Sequence, residues 1–126
     1  MQISSAIINI NSEHADALAS FYRDVVGLPQ QGEMGPNALD AGGTAIVFDT
    51  HSEVTGKTKE PPRVLLNMMV EDLAAEENRL VAAGVPCTRS QGVEFWGGVI
   101  STFLDPDGNF FQLMQYRPDL ATHAEG

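Results

Sequence analysis

The feature that most constrains how this chain can fold is an internal repeat in the way two helical segments end. Residues 25–29 (VVGLP) and 82–86 (AAGVP) each place a glycine at the end of a helical pattern and a proline two residues later. Glycine is favoured just after a helix because it readily adopts a positive φ, and proline does not continue a helix. The recurrence of this ending indicates that one structural unit occurs twice in the chain.

The first copy begins with a strand and a helix. Residues 3–10 are rich in β-branched residues, which favour strands. Apolar residues then recur at intervals of three and four between Glu13 and Val26, a spacing that predicts a helix ending at Gly27. Turn signals divide residues 30–50, for which we expect three short antiparallel strands.

The second copy repeats this order. Residues 63–70 predict a strand, and residues 73–83 predict a helix that ends at Gly84. Glycines and the turn at residues 105–108 (DPDG) then separate further apolar segments. The predicted strands among these segments are residues 85–88, 93–96, 99–104 and 109–116. The pattern is interpreted as βαβββ in both copies.

The repeat predicts an α+β fold in one domain spanning residues 1–126. We expect two βαβββ modules, at about residues 1–50 and 63–117, whose strands form a curved mixed sheet around a concave pocket. The helices are expected on the outer face of that sheet. Residues 51–62 are polar and predict a linker between the modules, and residues 118–126 predict a loose tail.

The charge balance narrows the classes of function. The 126 residues include 17 acidic and 7 basic side chains, which give a formal net charge of −10. Such a negative field disfavours binding to nucleic acids or to anionic membranes. No apolar run approaches the length of a membrane span and no export signal is evident, so we expect a cytoplasmic protein. The single cysteine, Cys87, cannot form an internal disulfide and is interpreted as structural.

Three segments of the chain resemble a known family, the vicinal oxygen chelate superfamily of glyoxalases, bleomycin resistance proteins and extradiol dioxygenases. They are residues 21–28 (FYRDVVGL), 70–73 (VEDL) and 105–113 (DPDGNFFQL). Enzymes of this superfamily generally hold one divalent metal on the concave face of the sheet, with histidine and carboxylate ligands from the first and last strands of each module. The resemblance covers nearly the whole chain, and it directs attention to four ligand positions.

The four positions that would carry metal ligands depart from the family pattern. The resemblance places them at Ser5 or Ile7, at Val47 or Phe48, at Leu65 and at Gln112. None offers the imidazole or carboxylate that such a metal site uses, so we expect no metal and no other cofactor. A displaced site built from Asp49, His51 and Glu53 is the alternative. The other histidines, His14 and His123, belong to a helix start and to the tail.

Strand alternation predicts which side chains face the pocket. If Leu65 and Gln112 face it, residues two apart along the same strands face it as well. The predicted ligand-binding residues are Leu65, Asn67, Met69, Phe110, Gln112 and Met114, with Trp96 as an aromatic lid at the pocket mouth. Flexible thioethers, aromatic rings and two amides suit an uncharged or aromatic small molecule. In the alternative interpretation, the methionines fill a closed core and the tryptophan is a packing residue.

We therefore hypothesise metal-independent binding of a small, largely apolar or aromatic molecule, similar to that of bleomycin-resistance-type proteins. The alternative is a metal-dependent or metal-free enzyme of the superfamily, acting as a lyase, isomerase or dioxygenase. A metal-free enzyme would need an acid or base such as Asp49, Glu94, Glu33 or Tyr116, but no spacing singles out a catalytic residue. Members of the family are often homodimers, and the resemblance implies a homodimer here.

Overall fold

The computed structural model describes residues 1–122, which form two compact units. The first unit spans Met1–Thr58 and the second begins at Lys59, so the division falls inside the predicted linker. The elements of the first unit are β1 (Ile7–Asn11), α1 (Ala15–Ser20), a π-helical turn that continues α1 (Phe21–Val26), β2 (Ala38–Ala41) and β3 (Thr44–Asp49). Its sheet has the order β1-β3-β2, with β1 parallel and β2 antiparallel to β3.

The second unit has the full βαβββ order. Its elements are β4 (Leu66–Met69), α2 (Leu73–Ala82), β5 (Cys87–Val93), β6 (Gly98–Leu104), β7 (Phe110–Tyr116) and a short 3₁₀ turn (Pro118–Leu120). The sheet has the order β4-β7-β6-β5, in which β4 is parallel to β7 and the other pairs are antiparallel. The predicted α+β class is confirmed, with one mixed sheet in each unit. His123 lies outside the described residues.

Matching hydrogen bonds align the two units residue by residue. The backbone N–H of Ser12 donates to the carbonyl of Asp49 at 2.8 Å, and that of Val70 donates to the carbonyl of Met114 at 2.8 Å. The strand registers agree with this alignment in both sheets. The alignment makes four pairs of residues equivalent: Ile7 and Leu65, Asn9 and Asn67, Val47 and Gln112, and Ala38 and Thr102.

The first unit has two strands after its helix, where three were expected. In place of the third, Gln30 forms an isolated antiparallel bridge with Leu39 of β2. This bridge is equivalent to the pairing of Cys87 with Phe103, which opens β5 in the second unit. After Gln30 the chain turns away through Gly32, whose φ is 91°, so the pairing does not extend into a strand.

The separate strand expected at residues 93–96 is also absent. β5 continues to Val93, and residues 94–97 form a turn in which Gly97 N–H donates to the carbonyl of Glu94 at 2.9 Å. Gly97 has a φ of 94°, a conformation that ends a strand. One irregular strand, Cys87–Val93, therefore replaces the two predicted strands, and its register with β6 shifts on either side of Arg89.

The core of each unit lies between its sheet and its helix. In the first unit Tyr22 is fully buried and stacks on Phe48, with ring centroids 5.0 Å apart. In the second, Phe103 and Phe111 stack at 5.3 Å and are fully buried, as is Leu80 of α2. Tyr22 therefore packs against the sheet of the first unit. None of the helices found within residues 1–122 is both long and apolar enough to cross a membrane.

Candidate functional site

The candidate site lies on one face of the second sheet, which we call the open face. The other face packs against α2. On that face, Ser101 of β6 donates a 2.7 Å hydrogen bond to Glu77 of the helix. Residues that pair with Ser101 or lie two positions away share its side, and Phe111 and Leu113 there are buried. The intervening residues form the open face, and they include Asn67, Met69, Phe110, Gln112 and Met114.

A continuous chain of side-chain hydrogen bonds crosses three strands of the open face. The Thr102 hydroxyl donates to Gln112 Oε1 at 2.9 Å, and Gln112 Nε2 donates to Asn67 Oδ1 at 2.6 Å. The three residues are cross-strand neighbours in the registers of β6, β7 and β4. Thr102 is buried and Asn67 is exposed, so the chain runs from the interior of the sheet to its surface.

The next row of the open face is apolar. Met69 pairs with Met114, which pairs in turn with Ile100. Met69 is 64% exposed, so it does not fill a closed core, whereas Ile100 is buried. Methionine side chains are flexible and polarisable, and they adapt to the shape of an apolar partner. This row therefore offers a deformable apolar surface beside the amides.

Trp96 and Tyr116 close one end of the open face. Their rings stack with centroids 6.4 Å apart, and Trp96 is 41% and Tyr116 55% exposed. Tyr116 pairs with Gly98, where an added Cβ would overlap the indole of Trp96. The indole therefore lies over a glycine that leaves room for it. Trp96 packs against the sheet and still presents a ring surface, which agrees with both interpretations of this residue.

Two further residues of the open face, Tyr116 and Arg89, were not among the predicted ligand-binding residues. Tyr116 follows Met114 by two residues, so strand alternation alone would have placed it on the open face. Arg89 pairs with Thr102, and its guanidinium donates to Glu94 at 2.8 Å. No sequence signal pointed to Arg89, because its place depends on the register shifts in β5.

The remaining predicted ligand-binding residues lie at the start of their strands. Leu65 immediately precedes β4 and is 40% exposed. Phe110 is the first residue of β7 and pairs with Leu104. The structure thus brings Asn67, Met69, Gln112 and Met114 together in two adjacent rows, and Leu65 and Phe110 flank them.

The positions expected for metal ligands do not fit a metal site. The alignment of the two units matches Leu65 with Ile7 and Gln112 with Val47, whereas Phe48 is buried against Tyr22. Three of the four side chains are aliphatic, and the Gln112 amide oxygen already accepts from Thr102. Across residues 1–122, no three His, Cys, Asp or Glu side chains are grouped so that they could hold a metal ion.

The displaced cluster considered from sequence instead makes local turn contacts. His51 Nδ1 accepts from the backbone N–H of Glu53 at 3.1 Å, and Asp49 accepts from that of Thr50 at 2.9 Å. These bonds shape the exit from β3. We derive no chemical step through a metal in this chain.

A buried carboxylate lies beneath the candidate site, on the opposite face of the sheet. Glu77 accepts hydrogen bonds from Ser90, Gln91 and Ser101 at 2.7–2.8 Å, and from the Cys87 thiol at 3.7 Å. Burial acts to raise the pKa of Glu77, but these hydrogen bonds outweigh it and hold the pKa below its usual value. Burial, together with the charge of Glu77, raises the pKa of the Cys87 thiol, which stays protonated at neutral pH.

The acid–base candidates from the sequence are scattered. Tyr116 lies on the open face and Glu94 is held by Arg89, whereas Asp49 ends β3 in the first unit. Glu33 lines a surface cleft of about 510 Å³ in the first unit, beside Asp40 of β2. The structure therefore assembles no acid–base pair from these four residues within either unit.

Comparisons with known proteins agree with this architecture. A crystal structure of a glyoxalase/bleomycin resistance protein/dioxygenase family enzyme from Burkholderia phytofirmans PsJN matches with a TM-score of 0.70 and 22% identity, covering 87% of this chain and 96% of its own. The structure of TnmS3, an antibiotic binding protein from Streptomyces sp. CB03234, matches with a TM-score of 0.67 and 25% identity, covering 92% and 98%. An integron cassette protein from the mobile metagenome of V. cholerae matches with a TM-score of 0.70 and 20% identity, covering 92% and 98%.

The search of curated proteins gave no match. The model of one family, described as a glyoxalase-like domain, matches residues 7–114. That segment begins at the first residue of β1 and includes every element through the first five residues of β7. By its sequence and by its paired strand–helix–strand units, the chain belongs to the glyoxalase-like domain family.

Proposed function

We propose that this chain binds a small, largely apolar or aromatic molecule on the open face of its second sheet, without a metal ion. The observation that carries the proposal is the exposure of large apolar side chains there. Met69, Trp96 and Tyr116 keep from two fifths to two thirds of their surface in contact with solvent. Exposed apolar groups beside a few directed polar groups are typical of ligand-binding surfaces.

The comparisons add support for binding rather than for a particular ligand. TnmS3 is an antibiotic binding protein, and it shares the fold over most of both chains. The family also includes enzymes, and a neighbour is described as one. Binding is favoured here because the positions that the family pattern assigns to metal ligands carry Ser5 or Ile7, Val47 or Phe48, Leu65 and Gln112.

Fluorescence titration of Trp96 tests the proposal, since this residue is the single tryptophan of the chain. A panel of aromatic and cationic antibiotics is titrated in the presence and absence of EDTA. We expect at least one saturable change in emission, with a Kd that EDTA leaves unchanged. The proposal would be contradicted if no compound of the panel altered the emission, or if binding required added metal.

A matched pair of variants locates the binding. Met114→Ala removes a thioether from the apolar row, whereas Val81→Ala removes a similar apolar surface from the exposed side of α2. We expect Met114→Ala to weaken binding by about five- to tenfold. The variant loses two or three methylene-sized groups that the ligand would bury, and neighbouring flexible side chains partly fill the space. Val81→Ala should leave the Kd unchanged. Equal effects from both variants would place the ligand elsewhere.

The competing function is a metal-free enzyme that uses Tyr116, the acid–base candidate that lies beside Trp96 on the open face. Mass spectrometry of a bound compound after prolonged incubation separates the two functions. A binding protein returns the compound unchanged. Conversion that is abolished by Tyr116→Phe would establish the enzyme instead.

We also propose that the chain forms a homodimer, as members of the family often do. The exposed apolar residues Val93 and Phe95 and the adjoining Trp96 provide the surface for a second copy. Analytical ultracentrifugation tests this assembly directly. The tryptophan emission should shift to longer wavelength when dilution dissociates the dimer, and an unchanged spectrum through dissociation would exclude Trp96 from the interface.

A further inference from the structure

The hydrogen-bond chain on the open face ends in a free donor. Thr102 donates to Gln112 and Gln112 donates to Asn67, so each link uses the oxygen of the next amide. The oxygen of Asn67 is thereby occupied, while its Nδ2 group has no acceptor among residues 1–122. The two N–H groups of the exposed Asn67 amide are thus held in a direction set by its hydrogen bond to Gln112.

The fold itself does not require these polar side chains. In the first unit the equivalent of Asn67 is Asn9, but the equivalents of Gln112 and Thr102 are Val47 and Ala38. The same parallel and antiparallel pairing therefore forms without any side-chain hydrogen bond at these positions. Burying polar groups in a sheet row costs desolvation free energy. Because only the second unit has them, and the strand pairing does not need them, they serve a different role there.

We infer that the ligand of the open face is an apolar molecule that carries a hydrogen-bond acceptor, such as a ring carbonyl, and that Asn67 Nδ2 donates to it. This inference rests on the proposed function and specifies its ligand class. The apolar part of the ligand covers Met69 and Met114, which lie in the row next to Asn67 and Gln112. Gln112 acts as a positioning residue, because it holds the Asn67 oxygen and so directs the donor outward.

A pair of probes that differ by one carbonyl tests the inference. 9-Fluorenone and fluorene are both planar three-ring molecules of similar size, and fluorenone alone has an acceptor. Equilibrium dialysis against each probe, quantified by chromatography, measures both dissociation constants without relying on tryptophan emission. We expect fluorenone to bind about threefold to tenfold more tightly, as one net hydrogen bond gives.

Matched variants assign the preference to one amide. Asn67→Asp keeps the shape and the acceptor for Gln112 but removes the donor, and Asn9→Asp makes the same change of charge at the equivalent position of the first unit. The preference for fluorenone should fall to about one in Asn67→Asp and persist in Asn9→Asp. A second variant, Gln112→Leu, should also reduce the preference for fluorenone, because Asn67 then loses the group that holds its oxygen.

The outcomes separate this inference from the proposed function. Equal binding of the two probes by the unmodified protein would overturn the inference and leave apolar binding standing. A fluorenone preference that survives Asn67→Asp would overturn the role of Asn67. If the protein binds neither probe, both the inference and the proposed binding of aromatic molecules are overturned.

Discussion

Among single residues, Glu77 shows most clearly how the sheet beneath the candidate site is held in shape. The residue is 6% exposed, and hydroxyl, amide and thiol groups from β5 and β6 donate to its carboxylate. Two of the donors, Ser90 and Gln91, belong to the irregular part of β5, and Gln91 has a positive φ of 46°. A left-handed conformation is unfavourable for glutamine, so these bonds compensate for local backbone strain.

This arrangement predicts a pH-dependent contribution of Glu77 to stability. Because its pKa is lower in the folded than in the unfolded chain, ionised Glu77 stabilises the fold fully above its unfolded pKa. That contribution is lost as the pH falls through the folded pKa. Glu77→Gln places an amide against the donors and should lower the free energy of unfolding by about 1–3 kcal/mol near pH 7, and by less near pH 3.

Urea denaturation at the two pH values measures this difference. Glu76→Gln is the matched control, because Glu76 is the neighbouring residue of α2 and forms a partly exposed ion pair with Arg79. We expect this control to change the stability by less than about 0.5 kcal/mol. A stability difference for Glu77→Gln that stays constant from pH 7 to pH 3 would contradict the assignment.

Gly98 supports a second prediction for a single residue. An added Cβ at this position overlaps the Trp96 ring, so Gly98→Ala must displace the indole from its place beside Tyr116. We expect the emission of Trp96 to shift to longer wavelength and any open-face ligand to bind more weakly. Fluorescence spectra of the free variant provide the measurement. Gly108→Ala is the control for backbone strain alone, because an added Cβ there meets no atom within 4 Å but the φ of 80° is unfavourable for alanine.

The sequence predicted much of the open face, for a simple physical reason. Side chains alternate along a strand, so Asn67 and Met69 follow from Leu65, and Met114 follows from Gln112. The bonds that join these residues could not be predicted, because they depend on the register between strands. Arg89 was missed for the same reason, since register shifts precede and follow its pairing with Thr102.

Among the elements, the first helix departs from its counterpart by a single residue. Tyr22 and Leu80 are equivalent, but Gly27 lies five positions after Tyr22, whereas Gly84 lies four positions after Leu80. Gly27 N–H accordingly reaches back to the Tyr22 carbonyl at 3.0 Å, an i→i−5 bond. The extra residue is accommodated as the π-helical turn Phe21–Val26.

This comparison predicts that the first helix tolerates the loss of one residue. Deleting Asp24, which is exposed, gives the spacing between Tyr22 and Gly27 that the second unit already uses. Deleting Asn78, which is also exposed, would rotate Leu80 by about 100° relative to Leu73 and remove it from the core. We therefore expect the Asp24 deletion to lower the Tm far less than the Asn78 deletion.

Thermal melts followed by far-ultraviolet circular dichroism compare the two deletions. Equal losses of Tm would show that the extra residue is needed for packing in the first unit. The sequence predicted where both helices end, since Gly27 and Gly84 have φ values of 101° and 88°. It did not reveal the π-helical turn, because the apolar spacing before Gly27 also suits a regular α-helix.

At the scale of the whole molecule, the duplication explains why the fold was easier to predict than the function. Both units meet the same backbone requirements, and those requirements left a recognisable pattern of strands, helix and glycine in the sequence. The side-chain hydrogen bonds that join Thr102, Gln112 and Asn67 on the open face occur in the second unit alone. A feature that differs between copies leaves no repeated pattern, so the candidate site was harder to predict from sequence than the architecture.

The net charge predicts how salt affects the proposed homodimer. Each copy carries a formal charge of −10, so two copies repel one another at low ionic strength. Salt screens this repulsion over a Debye length of about 10 Å at 0.1 M. If the dimer interface is formed by apolar residues such as Phe95, the dissociation constant should fall as salt is raised from 20 to 300 mM.

Sedimentation equilibrium at both salt concentrations measures this change. Phe95→Ser should weaken the dimer at every salt concentration, because it removes a ring that is 61% exposed in the single chain. Val81→Ser, at an exposed position of α2, is the control and should leave the dissociation constant unchanged. A dimer that weakens as salt is added would show that ion pairs hold the copies together, which would place the interface away from Phe95.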